Sequence, residues 1–129
     1  MSAPASVRLA VLGPMRAFIA DEIVDVGGRR QRALLARLVL AKGQVVSVDR
    51  LADDLWHGEP PPKALAALQV YVSHLRRALE PDRPRRAAAT VVVSAAPGYC
   101  LTLPVEHVDA WRFEAKLAQA QQEPQPRRR

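Results

Sequence analysis

Three histidines, one cysteine and one pair of adjacent aspartates are the side chains in this sequence that could support catalysis or bind a metal. The histidines are far apart, in a predicted loop, helix and strand end, at His57, His74 and His107. None has the spacing of a catalytic or metal-binding pair. The carboxylates of Asp53 and Asp54 are expected to diverge on a helix, although one could pair with a nearby Arg, and Cys100 is expected to be a small buried hydrophobe. Since there is also no glycine-rich phosphate loop, the sequence argues against an enzyme and predicts neither a metal nor a cofactor.

A different kind of chemistry is available along the segment 63–80, which is predicted to be a helix ended by Pro81. Its apolar positions fall within a narrow arc and are Leu65, Leu68, Val72, Leu75 and Leu79. The opposite side carries Lys63, Ala66, Val70, Ser73, His74 and Arg77, without a carboxylate. A methyl group there can contact thymine, and hydroxyl and imidazole groups can bond to acceptors such as guanine N7. Gln69 and Arg76 are expected on the edges, where phosphates would pass, and Gln69 could also bond to adenine. An ordinary amphipathic helix with a solvated outer side is an equally good explanation of the pattern alone.

The charge of the chain is consistent with a polyanionic partner. Lys and Arg number 19 against 13 Asp and Glu, which gives a net charge of +6 and a pI near 10.4. A basic domain is attracted to nucleic acid. Because Arg127, Arg128 and Arg129 supply half of the surplus, the charge alone favours nucleic acid only modestly.

The predicted elements that position this helix are typical of an α+β domain. Residues 7–26 alternate in hydropathy between turn signals and predict a three-stranded antiparallel sheet. Three helices are predicted: one from Arg29 to Ala41, one that begins after an N-cap at Ser47, and one over 63–80. A hairpin is predicted over 91–102. Three helices followed by a hairpin is the layout of a winged helix-turn-helix, which places one helix in the major groove of DNA. A last helix is predicted after Asp109, with a face of Ala110, Phe113, Leu117 and Ala120.

Several segments together resemble a known family. The run from Leu68 to Glu80 resembles the recognition helix of OmpR/PhoB-type winged-helix domains, and it is most similar to the AfsR-like branch, the Streptomyces antibiotic regulatory proteins. Four other segments match in order, at 9–14, 30–35, 51–56 with the Pro-rich loop after it, and 97–99. Residues 108–114 look like the first helix of the transcriptional activation domain that follows in this family. The sequence is therefore expected to be a fragment, a truncated product or a stand-alone binding domain.

The resemblance implies a bacterial transcription regulator that binds double-stranded DNA at promoter direct repeats, often as tandem copies. By position, the base-reading residues would be Gln69, Val70, Ser73, His74 and Arg77. Arg76 and Trp56 would contact phosphates, Lys63 lies on the same outer side, and loop arginines could add charge at Arg83, Arg85 and Arg86. The loop formed by His57, Gly58, Glu59, Pro60, Pro61 and Pro62 would be able to touch RNA polymerase.

Two positions depart from the family pattern. Position 74 is usually Arg or Lys in relatives, so His74 predicts a lower or pH-sensitive affinity for DNA. In the family the wing reaches the minor groove, but the tip of the hairpin, 94–98, lacks the Arg often found there, which weakens this expectation.

The domain boundaries expected from these patterns are a disordered segment 1–6, the winged-helix domain 7–103, a linker and single helix 104–122, and a disordered basic tail 123–129. One cysteine, no signal peptide and no membrane span predict a reducing, cytoplasmic setting without a membrane partner. The alternative function is a protein-interaction module, or a competitor of full-length relatives, because winged helices can also bind proteins.

Overall fold

A computed structural model of the chain describes residues 6–122, and it has the α+β architecture that the sequence predicts. The strands are β1 (Val7–Ala10), β2 (Arg16–Ile19), β3 (Glu22–Val24), β4 (Val46–Ser47), β5 (Val92–Ala95) and β6 (Gly98–Leu101). The helices are α1 (Arg29–Leu40), α2 (Val48–Leu55), α3 (Ala64–Leu79) and α4 (Asp109–Gln122). Apart from Ser6, the termini predicted to be disordered lie outside the described residues. Within 6–122, no helix is long and apolar enough to cross a bilayer.

The strands form two small antiparallel sheets, and both contribute side chains to the core. The first has the order β1-β2-β3, with Val7 opposite Ile19. The second has the order β4-β6-β5, so the predicted hairpin gains the short strand β4 as a third member. Gly98 allows this pairing, because a Cβ on it would lie 1.9 Å from the carbonyl oxygen of Val46. The wing is therefore joined directly to the chain that leads into α2.

The three helices α1, α2 and α3 pack around one apolar core. One apolar face of α1 and one of α2 are buried through Leu34, Leu35, Leu38, Leu51, Ala52 and Leu55. The side chain of Ser47 accepts a hydrogen bond from the backbone N–H of Arg50 at 3.1 Å, which confirms the predicted N-cap of α2. The predicted pairing of one aspartate is also present, since Asp54 accepts from Arg37 Nε at 2.6 Å.

The apolar stripe of α3 differs at one position from the prediction. Leu68, Val72, Leu75 and Leu79 are buried, but Leu65 is 48% exposed, and Ala64 is buried instead. At about 100° per residue, Ala64 and Leu65 lie at similar angles on either side of the stripe. Periodicity cannot choose between two such positions, and the placement of the neighbouring elements decides which one is covered.

The predicted face of α4 is wrong. Phe113 and Leu117 are 53% and 47% exposed, and the residue that α4 buries is Trp111. The indole N–H of Trp111 donates to the carbonyl oxygen of Val39 in α1 at 2.9 Å. The carboxylate of Asp109, the first residue of α4, accepts from backbone N–H groups just after β1, those of Val11 at 2.7 Å and Leu12 at 3.1 Å. The first turn of α4 is therefore fixed to the domain.

Candidate nucleic-acid interface

The helix α3 is held with one side against the core and the other facing solvent. Leu75 and Leu79 are 0% and 1% exposed, and this side packs on α1 and α2. The helix begins after the Pro-rich loop, where the backbone N–H of Ala64 donates to the carbonyl of Pro61 at 3.0 Å. It ends at Leu79. The next residue, Glu80, precedes Pro81, and a residue before proline is disfavoured in the helical conformation. The orientation of the helix is therefore set by burial on one side and by proline at both ends.

The five predicted base-reading side chains lie together on the outer side of α3. Gln69, Val70, Ser73, His74 and Arg77 are all exposed. Lys63, the N-cap residue, is also exposed at the start of the helix. No Asp or Glu occurs between residues 64 and 79, so no carboxylate on the helix would repel phosphate. The surface formed by these five residues is called the reading surface below.

Arg76 connects α3 to the wing. Its Nε donates to the carbonyl of Val92 at 2.9 Å, and its Nη2 donates to the hydroxyl of Ser94 at 2.8 Å. Its guanidinium also lies 5.7 Å from the ring centroid of Tyr99, within cation–π range. Sequence reasoning gave Arg76 a phosphate contact and missed these intramolecular contacts. In the structure Arg76 is a positioning residue that fixes the wing relative to the reading surface.

A second link joins the end of α3 to the start of the wing. The carboxylate of Glu80 accepts from the backbone N–H of Thr90 at 3.0 Å and from its hydroxyl at 2.5 Å. At the wing tip, the backbone N–H of Val48 donates to the carbonyl of Pro97 at 3.2 Å. The wing is thus fixed to both α2 and α3, and its tip carries no basic residue between Ser94 and Gly98.

His74 on the reading surface has a partner in α1. Its Nδ1 lies 3.3 Å from Oε1 of Gln31, which is itself 8% exposed. The amide nitrogen of Gln31 in turn donates to the carbonyl of Val26 at 2.8 Å. Gln31 was not identified from the sequence, because nothing in the spacing connects it to a residue so far along the chain.

Trp56 lies in an aromatic and cationic cluster beside α3. Its ring stacks on Tyr71 with centroids 6.3 Å apart and an interplanar angle of 24°. The guanidinium of Arg30 lies 5.2 Å from the ring centroid of Trp56. The sequence predicted a phosphate contact here for Trp56 alone. The structure places an exposed cation, Arg30, beside it.

The remaining predicted contact residues are mostly on the surface. Arg85 and Arg86 are exposed, whereas Arg83 is partly buried and donates through Nη1 to the carbonyl of Ala87 within its own loop, at 2.5 Å. The predicted polymerase loop, 57–62, is exposed at every residue between α2 and α3. Among residues 6–122, no three His, Cys, Asp or Glu side chains are grouped in a way that could hold a metal ion.

Comparison with known proteins identifies this arrangement. The family model described as "Transcriptional regulatory protein, C terminal" matches residues 24–101, which contain all three core helices and the wing. The chain belongs to this family. Its members bind DNA and regulate transcription, and the predicted OmpR/PhoB-type winged-helix fold is confirmed.

Named relatives of the family place the chain near the AfsR-like regulators. It is 42% identical over 96 residues to the regulatory protein AfsR of Streptomyces coelicolor, covering 74% of this chain and 9% of the relative. It is 39% identical over 108 residues to the transcriptional regulatory protein EmbR of Mycobacterium tuberculosis, covering 82% of this chain and 27% of the relative.

A solved structure of M. tuberculosis EmbR in complex with a low-affinity phosphopeptide is also similar. It superposes with a TM-score of 0.76 at 37% identity and covers 87% of this chain and 29% of that one. The chain thus spans less than a third of the length of each of these relatives. The structural similarity to EmbR supports the winged-helix assignment.

Proposed function

We propose that the chain binds double-stranded DNA in a sequence-specific manner, with α3 in the major groove and the β5–β6 hairpin as the wing, and that it regulates transcription through this contact. The observation that carries the proposal is the exposure of all five residues of the reading surface on a helix whose other side is buried. The major groove is about 12 Å wide and admits an α-helix. Catalysis has no part in the proposal.

Four of the five side chains of the reading surface have a chemical role that suits a base edge without further argument. Arg77 can donate to O6 and N7 of guanine, and Gln69 can form a bidentate pair with adenine. Val70, which is 49% exposed, offers methyl groups to the methyl group of thymine. Ser73 can donate or accept, so its preference depends on its neighbours.

Phosphate contacts on either side of the groove are proposed for the exposed cations. Lys63 lies at one end of α3, and Arg85 and Arg86 lie in the loop beyond the other end. Trp56 contributes together with Arg30, whose guanidinium covers the indole ring. Arg76 and Arg83 use part of their donors inside the domain, so we assign them a smaller share of the phosphate contacts.

The wider setting follows from the family. We propose that the target sites are promoter direct repeats bound by tandem copies, in the cytoplasm of a bacterium. The loop 57–62 is a candidate for contact with RNA polymerase, because it is exposed and lies beside the helix that would enter the groove.

The salt dependence of DNA binding tests the proposal. The logarithm of the association constant should fall linearly with the logarithm of the salt concentration, with a slope of about −0.9 for each phosphate contacted. A gel-shift series with a duplex selected from a random pool gives this slope, and a scrambled duplex of equal length and composition is the control. A weak, salt-insensitive interaction with both duplexes would contradict the proposal and favour the alternative of a protein-interaction module.

A further inference from the structure

A short chain of hydrogen bonds fixes the orientation of a buried amide behind the reading surface. Nε2 of Gln31 lies 2.8 Å from the carbonyl oxygen of Val26, and that oxygen can only accept a hydrogen bond. The amide nitrogen must therefore face Val26, which turns Oε1 of Gln31 towards α3. Gly27 makes room for this amide, since a Cβ at Gly27 would lie 2.3 Å from Nε2 of Gln31.

The orientation of Gln31 determines which ring nitrogen of His74 carries the proton. Nδ1 of His74 lies 3.3 Å from Oε1 of Gln31, and because this oxygen is an acceptor, Nδ1 must donate. A neutral imidazole has one N–H donor and one bare nitrogen. With the proton on Nδ1, the bare acceptor is Nε2, the nitrogen that Gln31 does not engage, on an exposed side chain.

We propose that His74 reads an exocyclic amine in the major groove, N6 of adenine or N4 of cytosine, by accepting a hydrogen bond at Nε2, and that Gln31 is the positioning residue that imposes this preference. These two amines are the donors that base pairs present in the major groove. The inference rests on the proposed entry of α3 into that groove. It reverses the expectation from sequence, in which His74 donates to guanine N7.

The neighbours of His74 make this role complementary to the rest of the reading surface. Arg77 follows three residues later on the same side of α3 and can only donate. His74 would therefore supply an acceptor beside Arg77, in addition to those of Gln69 and Ser73, which widens the set of bases that the surface can distinguish.

The first test measures the tautomer directly, without DNA. Nitrogen-15 NMR of the full 129-residue chain, at about pH 8 to keep imidazoles neutral, should show the proton of His74 on Nδ1. The variants His57→Gln and His107→Gln assign the signals. Gln31→Leu should release the preference and give a mixture of tautomers, provided that its circular dichroism matches the parent. A parent chain with the proton on Nε2 would overturn the inference, whatever its affinity for DNA.

The second test measures the contact. Duplexes are selected from a random pool with the parent chain and with His74→Ala, and the position at which their preferences differ is assigned to His74. Adenine at that position is then replaced by purine, or cytosine by 2-pyrimidinone, which removes only the amine. Loss of one hydrogen bond should weaken binding of the parent chain by about 3- to 10-fold and leave His74→Ala unchanged.

The outcomes of the second test separate the inference from the proposed function. If the parent chain selects no sequence from the pool, both fail. If it selects a sequence but prefers guanine or thymine at the position of His74, or tolerates loss of the amine, only the role of His74 fails. If His74→Arg changes the preferred base at that position from adenine or cytosine to guanine, the acceptor role is supported, because Arg can only donate.

Discussion

At the residue scale, Arg76 links α3 to the wing, the two parts of the proposed DNA interface. Its guanidinium bonds to Val92 and Ser94 of the wing while its backbone belongs to α3. The same side chain keeps enough donors to touch a phosphate, since a guanidinium carries five N–H groups. A single substitution can tell the two roles apart, because they affect the salt dependence of binding differently.

We predict that Arg76→Ala weakens binding to every duplex and lowers the free energy of unfolding by about 1–3 kcal/mol. If Arg76 also contacts phosphate, the salt slope becomes shallower by about 1. If it acts only by holding the wing, the slope is unchanged while affinity falls. Gel shifts at several salt concentrations and urea unfolding provide both readouts, with Ser94→Ala as a control that removes one hydrogen bond without changing charge. An Arg76→Ala chain with normal affinity and stability would contradict both roles.

At the element scale, the wing depends on one close backbone approach. Gly98→Ala should lower the free energy of unfolding by about 1–3 kcal/mol or more, because its Cβ would collide with the backbone of Val46 and separate β4 from β6. Thr102→Ala, at an exposed position just after β6, should change stability by less than about 0.5 kcal/mol. Urea unfolding of both variants checks this, and equal stabilities would show that the three-stranded pairing is not required.

The attachment of α4 is a second property of an element. Trp111→Ala should cost about 3–5 kcal/mol, since it removes a buried indole and leaves the carbonyl of Val39 without its partner. Phe113→Ala, on the exposed side of the same helix, should cost less than about 1 kcal/mol. Thermal unfolding of the two variants gives the comparison. A larger loss for Phe113→Ala would restore the face that the sequence predicted.

Helices were predictable from the sequence where their apolar residues recur with helical periodicity and pack on the main core. The boundaries of α3 were predicted to within one residue, and Leu34, Leu35 and Leu38, which share one face of α1, are buried. The pattern failed at α4. Phe113 and Leu117 belong to a regular apolar stripe that the structure leaves exposed, whereas the helix buries Trp111, which lies outside that stripe. The partner of Trp111 is a backbone carbonyl in α1, and no sequence pattern indicates which carbonyl a distant indole will reach.

The exposed side chains of the candidate site were predictable from the sequence, but the hydrogen bonds that hold them in place were not. Exposure of Ser73 and Arg77 follows from their angle on α3. The bonds from Arg76 to the wing and from Gln31 to His74 join segments that are distant in sequence, so only the packing of α1, α3 and β5 brings them together. The tautomer of His74, which changes the base it can read, depends on this packing.

At the scale of the whole molecule, one core joins the N-terminal sheet, the three helices, the wing and the first turn of α4. The exposed ion pairs, Arg37–Asp54 and Lys42–Glu114, add little to stability because solvent screens them. We therefore predict a single cooperative unfolding transition. Far-ultraviolet circular dichroism and fluorescence of Trp56 and Trp111 should give the same midpoint in urea. Two separate midpoints would show that α4 or the N-terminal sheet unfolds independently.

The most direct test of the account compares the reading surface on specific and scrambled DNA. Ser73→Ala and Arg77→Ala should each lower affinity for a selected duplex by about 1–3 kcal/mol and change which bases are preferred. For Ser73→Ala, affinity for a scrambled duplex of equal length should stay the same, since this change removes no charge. Fluorescence anisotropy with both duplexes measures the ratio. Equal losses on the two duplexes, or no loss on either, would contradict base reading by α3.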